Sequence, residues 1–487
     1  MEAFLIAIDI GTSSVRAVAF DQHCRTLAHA ARPLATQRPH PGWMEQDPEM
    51  ILRAMLEAFD EVRTRLGNPC PAVVLSTHMH SLLLAEESGK LLTPCILWSD
   101  LRAEEQAREL RRSVAGRALA EATGTPIHPM SPLCKLCWFR EREPETFRRA
   151  ARFCDLKAWV VHRLTGQWYT DLASASASGL LDIRSLQWNE EALRTASVEP
   201  ERLPRLLSPL ARLDVSFHLP AGTTLIIGGA DGCLANLGAG LSTTDEAVLT
   251  IGTSAAMRQT RTEPLKDHGG MLFSYLLTDG LPEVFSPTGR WYVCGGASSN
   301  GASVYEWFCR QWMGGMPDEA RCNALLKTVP AGSEGLLFLP YLHGERAPLM
   351  EPAATAIFVG MAPRHGMAHF HRAVMEGILL NMAWVGSELE KSVGGYEAVR
   401  AGGGFSRSAA WVQMAADIFG KPMSVRDMGE DTARGAALLG MMALGMPMPS
   451  QLEGASRNYL PDPRLIHTYA HLLAEFKKWS CRVFASK

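Results

Sequence analysis

FLIAIDIGTSSVRAVAFD (residues 4–21) and EAVLTIGTSAAMRQT (residues 246–260) share one short turn, IGTS, beginning at Ile10 and again at Ile251. An apolar run precedes each copy and a second run follows it, so both stretches read as strand, tight turn, strand. In the first, apolar residues lead to Asp9, then Gly-Thr-Ser-Ser, then alternating Val15, Ala17 and Ala19. A glycine in such a turn lets the backbone come close to a ligand, and successive N–H groups beside two hydroxyls suit phosphate oxygens. A single GTS is equally well a plain β-turn. Its recurrence at the head of each half points to a duplicated fold, with a ligand in the cleft between halves and a polyphosphate clamped from both sides.

The segments around the turns extend this reading. DPEMILRAMLEAFDEVRTRL (47–66) opens with an Asp cap and a Pro, then sets Leu52, Met55, Leu56, Phe59, Val62 and Leu66 on one helical face. PAVVLSTHMH (71–80) is a strand ending in polar residues, and TTLIIGGADGCLANLGAG (223–240) is a buried strand, a Gly-rich turn and a helix of small residues. The second half adds a long helix from about His369 to Lys391 and a loop-then-helix, AGGGFSRSAAWVQMAADIFG (401–420). Alternating strands and helices in both halves predict an α/β protein of two domains, 1–244 and 245–487, joined by a hinge near 242–247.

Composition narrows the partners. The chain has 487 residues, 47% hydrophobic and 20% charged, with a net charge of -3, which is globular composition without the basic excess of a nucleic-acid binder. No signal peptide precedes Asp9, and the longest apolar run, AALLGMMALGMPM (436–448), is too short and too broken by glycine to span a bilayer. Eleven scattered cysteines, an odd number, read as reduced thiols in the cytoplasm. Cys134 and Cys137 make a C-x-x-C, but a zinc site needs four ligands and no second pair completes it.

Other phosphate motifs are excluded. Gly89-Lys90 and Gly420-Lys421 lack the spacing and the hydroxyl of a P-loop, and Gly402-Gly403-Gly404 runs into Phe-Ser-Arg rather than a dinucleotide fingerprint. Among acids, Asp231 follows a buried strand in GGADG, where open α/β sheets place their ligands, and is the candidate base; its bland alternative is a turn cap. Asp9 ends the strand before the first IGTS turn and is placed to hold magnesium through water, with the same alternative. His78 and His80 in STHMHS suit sugar hydroxyls or a structural role. Trp98, Asp100 and Arg102 suit polyol recognition or a surface ion pair.

Taken in order, these motifs resemble the FGGY carbohydrate kinases, which share the actin/Hsp70/hexokinase two-domain, ribonuclease H-like ATPase fold. DIGTSSVRA is similar to the family's first phosphate turn, PGWMEQDPE (41–49) to the segment after its first strands, GGADG to its catalytic-aspartate turn and LTIGTS to its second phosphate turn. MSPLCKLCWFRER (130–142) and AIFVGMAPRHGMAHFHRAVMEG (356–377) resemble its two signatures, and AGGGFSRSAAWVQMAADIFG its adenine-binding segment. The resemblance implies ATP and Mg2+ as cofactors, domain closure and a homodimer. It implies Asp231 as base, Asp9 and Asp231 as the metal side, and Gly11, Thr12, Ser13, Gly252, Thr253, Gly296, Asn300, Gly403, Gly404, Ser408 and Gln413 as nucleotide contacts.

Within the family STHMHS, LTPCILWSDLRA, ATGTPIHPMSPLCK (122–135), TDLASASASGLLDI (170–183) and FLPYLHGERAPL (338–349) read like the gluconate-kinase subgroup. The implied reaction is transfer from MgATP to the terminal hydroxyl of D-gluconate, with Met79, His80, Arg102, His128 and Asp231 on the substrate side and Lys135 a further cation for the carboxylate. Val359, Ser299 and His343 depart from common family residues. Xylulose kinase or another polyol or ketose kinase is the alternative within the family, and a non-enzymatic member of the same superfold, an actin-like polymer, a chaperone ATPase or a sugar-responsive binding protein, is the alternative outside it.

Overall fold

The computed structural model describes residues 5–67, 72–240, 245–266, 270–283, 286–426, 429–449 and 456–484. The chain forms two compact units, each discontinuous in sequence: one gathers Met1–Ser242, Thr260–Val293 and Met428–Glu453, the other Thr243–Gln259, Cys294–Asp427 and Gly454–Lys487.

The first unit rests on a six-stranded sheet in the order Arg212–Asp214, Thr224–Ala230, Ala72–Thr77, Leu5–Ile10, Ser14–Phe20, Thr26–Pro33. Leu5–Ile10 is apolar on both faces except at Asp9 and is buried along its whole length. It pairs antiparallel with Ser14–Phe20 across the IGTS turn and parallel with Ala72–Thr77, Asp9 lying opposite Ser76. The sheet is therefore mixed, as hairpins joined to crossovers require. Helix Pro48–Leu66 starts where the Asp47 side chain accepts from Glu49 N and stops at Gly67 in the left-handed region. It buries Ile51, Leu52, Met55, Phe59 and Val62 against the sheet, while Leu56 and Leu66 sit at the margin.

Helix Asp431–Leu444 belongs to this unit too, and glycines set how closely it packs. A Cβ on Gly435 would lie 1.8 Å from Leu234 O, and one on Gly238 1.7 Å from Asp431 O, so two helix backbones touch where only hydrogen fits. Further along, a Cβ on Gly440 would meet Val74 at 2.6 Å, which seats the same helix on the sheet.

The second unit repeats the pattern. Glu246–Ile251 pairs antiparallel with Ala255–Arg261 and parallel with Ala398–Gly402, Thr250 lying opposite Gly402. The sheet continues through Met423–Arg426 to Ser456–Tyr459 on one side and to Trp291–Ser298 on the other. Helix Met367–Val393 is the unit's longest described helix, and Val374, Ile378, Leu379, Met382 and Val385 on it are buried. Among the described residues no helix is long and apolar enough to cross a membrane.

Candidate active site

In the first unit the turn closes with Gly11 N donating to Ser14 O at 3.0 Å, leaving Ser13 exposed and Thr12 half-buried. Two side chains fix Thr12: Gln46 Nε2 donates to its carbonyl at 2.7 Å and Trp98 Nε1 to its hydroxyl at 3.2 Å. Trp98, expected at a polyol, here braces the phosphate-type turn.

Asp9 lies at the foot of that turn, 5% exposed, and accepts from Ser76 Oγ at 3.0 Å. Burial and then the nearby Asp231 charge push its carboxyl up to about 7; Ser76 and Arg16 pull it down, and Glu430 opposes them. Asp231 opens helix Asp231–Gly238 directly after strand Thr224–Ala230, half-buried, with Gly232 N donating to its Oδ1 at 2.7 Å. The structure therefore brings together the two acids that the sequence singled out. Among the described residues no group of three or more His, Cys, Asp or Glu is placed to hold a metal by itself. Cys134 and Cys137 are both free and buried on helix Pro132–Arg142.

The STHMHS segment caps the parallel strand beside Asp9. His80 has φ 62, and its backbone is held there by Lys135 Nζ donating to its carbonyl at 2.7 Å. Its Nδ1 lies 2.6 Å from Ala177 O, so that nitrogen carries the proton and Nε2 is the acceptor, 3.5 Å from Tyr275 Oη. Met79 beside it is half-buried. Burial drives His78 down to about 4, so its ring is neutral. His128 takes an N–H from Met130 on Nδ1 at 3.1 Å, which puts a proton on its Nε2.

Two expected cations turn out to be framework. Lys135 is fully buried and its ammonium goes to His80 O and Leu97 O, both at 2.7 Å, while burial lowers it to about 7. Arg102 pairs with Asp100 at 2.8 Å and Glu45 at 2.5 Å and lies 3.8 Å over the Trp43 ring, its side chain only 3% exposed. It is a buried pair rather than a surface one, joining 43–46 to 98–102.

In the second unit Gly252 N donates to Ser254 O at 2.9 Å, and the turn is backed by Ala302 N to Gly252 O at 2.7 Å and Ser303 Oγ to Thr253 O at 2.6 Å. Gly403 has φ 84 and ψ -174, and a Cβ there would lie 2.6 Å from Ile251 O. Beside it is a cavity of about 390 Å³ walled by Tyr305, Met316, Cys322, Met375, Phe405 and Trp411, with Gly404, Arg407 and Ser408 at its edge. Flat aromatic and thioether walls with a few polar groups suit a purine. Ser408 caps helix Ala409–Phe419, accepting from Trp411 N.

Some of the expected nucleotide residues are engaged within the fold. Asn300 is fully buried, its Nδ2 donating to Gly344 O at 2.6 Å and Glu345 Oε2 at 3.2 Å and its Oδ1 accepting from His343 N at 3.0 Å. Gln413 Nε2 goes to Asp417 Oδ1 at 2.9 Å and Leu460 O at 2.8 Å. Gly296 is buried inside strand Trp291–Ser298. Tyr305, Met316 and Cys322 were not foreseen, because Tyr305 and Cys322 come from two helices and Met316 from the loop between them, none of which carries a motif.

Paired turns of backbone donors, neighbouring carboxylates at one of them and a purine-sized cavity beside the other define a nucleotide-dependent phosphotransferase of the actin/hexokinase-like fold. Residues 4–238 match the N-terminal domain, and residues 247–444 the C-terminal domain, of the FGGY family of carbohydrate kinases, and the chain belongs to that family. It is a carbohydrate kinase with ATP as phosphoryl donor. It is 32% identical to the gluconokinase of Bacillus licheniformis, covering 98% of this chain and 95% of that protein. It is 28% identical to the xylulose kinase of Lactococcus lactis subsp. lactis, covering 98% and 96%. Among solved structures, the gluconate kinase and the ligand-bound xylulose kinase of Lactobacillus acidophilus each superpose with a TM-score of 0.91 at 28% identity, over 99% of this chain and 98% and 99% of theirs.

Proposed function

We propose that this kinase transfers the γ-phosphoryl group of ATP to the terminal hydroxyl of D-gluconate, giving 6-phosphogluconate, with Asp231 as the base. The observation that carries the chemistry is the pair Asp9–Asp231: one carboxylate lies partly open at a helix start, and its buried neighbour is pushed up to about 7 by burial and by that charge. Two acids that disfavour each other's charge fit a hard dication held by oxygen and water. Magnesium, when bound with the nucleotide, would neutralise charge on the phosphate oxygens. Asp231 would accept the hydroxyl proton, Asp9 would help to hold the metal through water, and backbone N–H groups of the first IGTS turn would stabilise phosphate oxygens where charge collects.

For the acceptor, similarity to gluconokinases along nearly the whole chain favours gluconate. With Lys135 and Arg102 committed to the framework, His128 through its protonated Nε2 is the group we assign to the carboxylate, and His80 Nε2 accepts from a hydroxyl. The equal structural likeness to a xylulose kinase keeps that ketose as the second reading.

ADP release with MgATP across gluconate, xylulose, ribulose, glycerol and glucose tests the acceptor. Gluconate should dominate in kcat/KM; dominance of xylulose overturns the substrate and leaves the kinase. Asp231→Asn should lose about 10²–10⁴-fold in kcat with ATP binding retained, and near-normal turnover would remove Asp231 as base.

A further inference from the structure

Strand Thr224–Ala230, which delivers Asp231, is not regular. Against Ala72–Thr77 it pairs Ile226 with Val74 but Gly229 with Ser76, so it carries one extra residue beside Leu75. Gly228 absorbs the bulge at φ 72, and a Cβ there would lie 1.8 Å from Leu75 O. Side chains alternate faces along a strand, so one inserted residue decides which face the residues beyond it present. Asp231 stands two residues past Gly229.

Lys157 lies under this bulge. It is fully buried at the start of helix Leu156–Thr165. Its Nζ lies 2.8 Å from Ile227 O, 3.2 Å from Gly229 O and 3.3 Å from Leu75 O, the carbonyls on both sides of the interruption. Its charge is met by Asp171 at 3.2 Å, also fully buried, which accepts in turn from Ser174 N at 2.8 Å and Ser174 Oγ at 2.6 Å. An ammonium offers three donors in a compact group, which a hydrophobic residue of the same length cannot.

We propose that Lys157, balanced by Asp171, is a positioning residue for Asp231: it locks the bulge and so aims the carboxylate at the acceptor hydroxyl. This rests on Asp231 acting as the base.

Lys157→Met alone strands the Asp171 charge and is expected to fold poorly, so the working protein is K157M/D171N, where Asn keeps an acceptor for Ser174 N. Folding is checked by thermal melting; then kcat, KM for ATP and KM for gluconate are measured, with D231N alone and in combination. The expected result is a loss of about 100-fold in kcat with KM for ATP within about twofold, and little further loss when D231N is added, because residues acting through one group are non-additive. A folded K157M/D171N with kcat within about threefold of the parent overturns the proposal, as does a loss that adds fully to that of D231N. If D231N by itself keeps its turnover, the base assignment has failed, and that single variant reveals it independently of Lys157.

Discussion

In the first unit a glycine at 11 closes the hairpin onto Ser14, the residue two before it is Asp9, and the neighbouring parallel strand supplies Ser76 to that acid. In the second, Gly252 closes onto Ser254, the residue two before is Thr250, and the neighbouring strand runs into Gly402, Gly403 and Gly404. The backbone is the same device twice, a hairpin plus one parallel strand ending beside the turn. The side chains differ: acids gather at the first turn, while glycines and a cavity with aromatic walls lie beside the second. Duplication thus supplies two sets of N–H donors, and under the proposed function the divergence of a few side chains assigns chemistry to one half and nucleotide recognition to the other.

The sharpest way to break this comparison is to remove the acid from the first turn. Asp9→Asn should lower kcat by about 10–100-fold, the usual effect of disturbing a metal's outer shell. Stability should move the other way. The folded carboxyl titrates at about 7 against an ordinary 3.8, so between those values the folded state holds a proton that the unfolded state has released. Stability from this group is therefore greatest at the acid end, falls as pH rises through that window and stays low above it. Replacement by Asn removes a burden of at most about 4 kcal/mol above pH 7. Melting of Asp9→Asn should be higher than the parent's at about pH 8 and converge with it near pH 4. A lower melting temperature at both values would mean the carboxylate is structural.

A smaller effect separates the glycines of the second turn. Gly403 sits in a backbone region nearly closed to other residues, and Gly403→Ala should destabilise the fold by about 1–3 kcal/mol. At Gly252 a Cβ meets no atom within 4 Å, so Gly252→Ala should leave denaturant unfolding nearly unchanged. If that open space admits phosphate, the same substitution should raise KM for ATP by about tenfold, roughly 1.4 kcal/mol. An unchanged KM would make the second turn an architectural copy only.

Much of this division was legible in the sequence, because IGTS, GGADG and AGGGFS are local and each depends on small residues at strand ends. Charged side chains were harder to place. Arg102 and Lys135 stand in motifs that look like ligand contacts, yet their partners, Glu45, His80 O and Leu97 O, lie 38 to 57 residues away along the chain. Burial of a cation is decided by such distant acceptors, which spacing does not reveal. The amide of Asn300 likewise meets Gly344 O and Glu345, 44 and 45 residues away, which spacing does not reveal either. The bulge at Gly228 was invisible because GG reads as a turn whether or not the strand gains a residue.

The second unit has a buried acid of its own, and it gives the finest test. Glu345 is 1% exposed and accepts from Ser299 N at 3.0 Å, Arg346 N at 2.7 Å, Ser298 Oγ at 2.7 Å, Asn381 Nδ2 at 2.9 Å and Asn300 Nδ2 at 3.2 Å. Burial nonetheless pushes it up to about 7. It lies behind the second turn, holding the loop whose Gly301 would bring a Cβ to 2.5 Å from Gly252 O. Every neighbour donates, so the amide of Glu345→Gln must face a donor, and at about pH 5 the variant should lose about 1–3 kcal/mol. Above pH 7 part of that loss is offset, because the parent there bears a buried charge and, by the same sign as Asp9, has lost stability on the way up. KM for ATP should shift by no more than a few-fold. The decisive comparison is the pH profile of kcat: Asp9→Asn should change it, and Glu345→Gln should change only the pH profile of stability. A shifted kcat profile in Glu345→Gln would place an acid of the second half in the chemistry, and the two hairpins would then differ in position of their acids rather than in role.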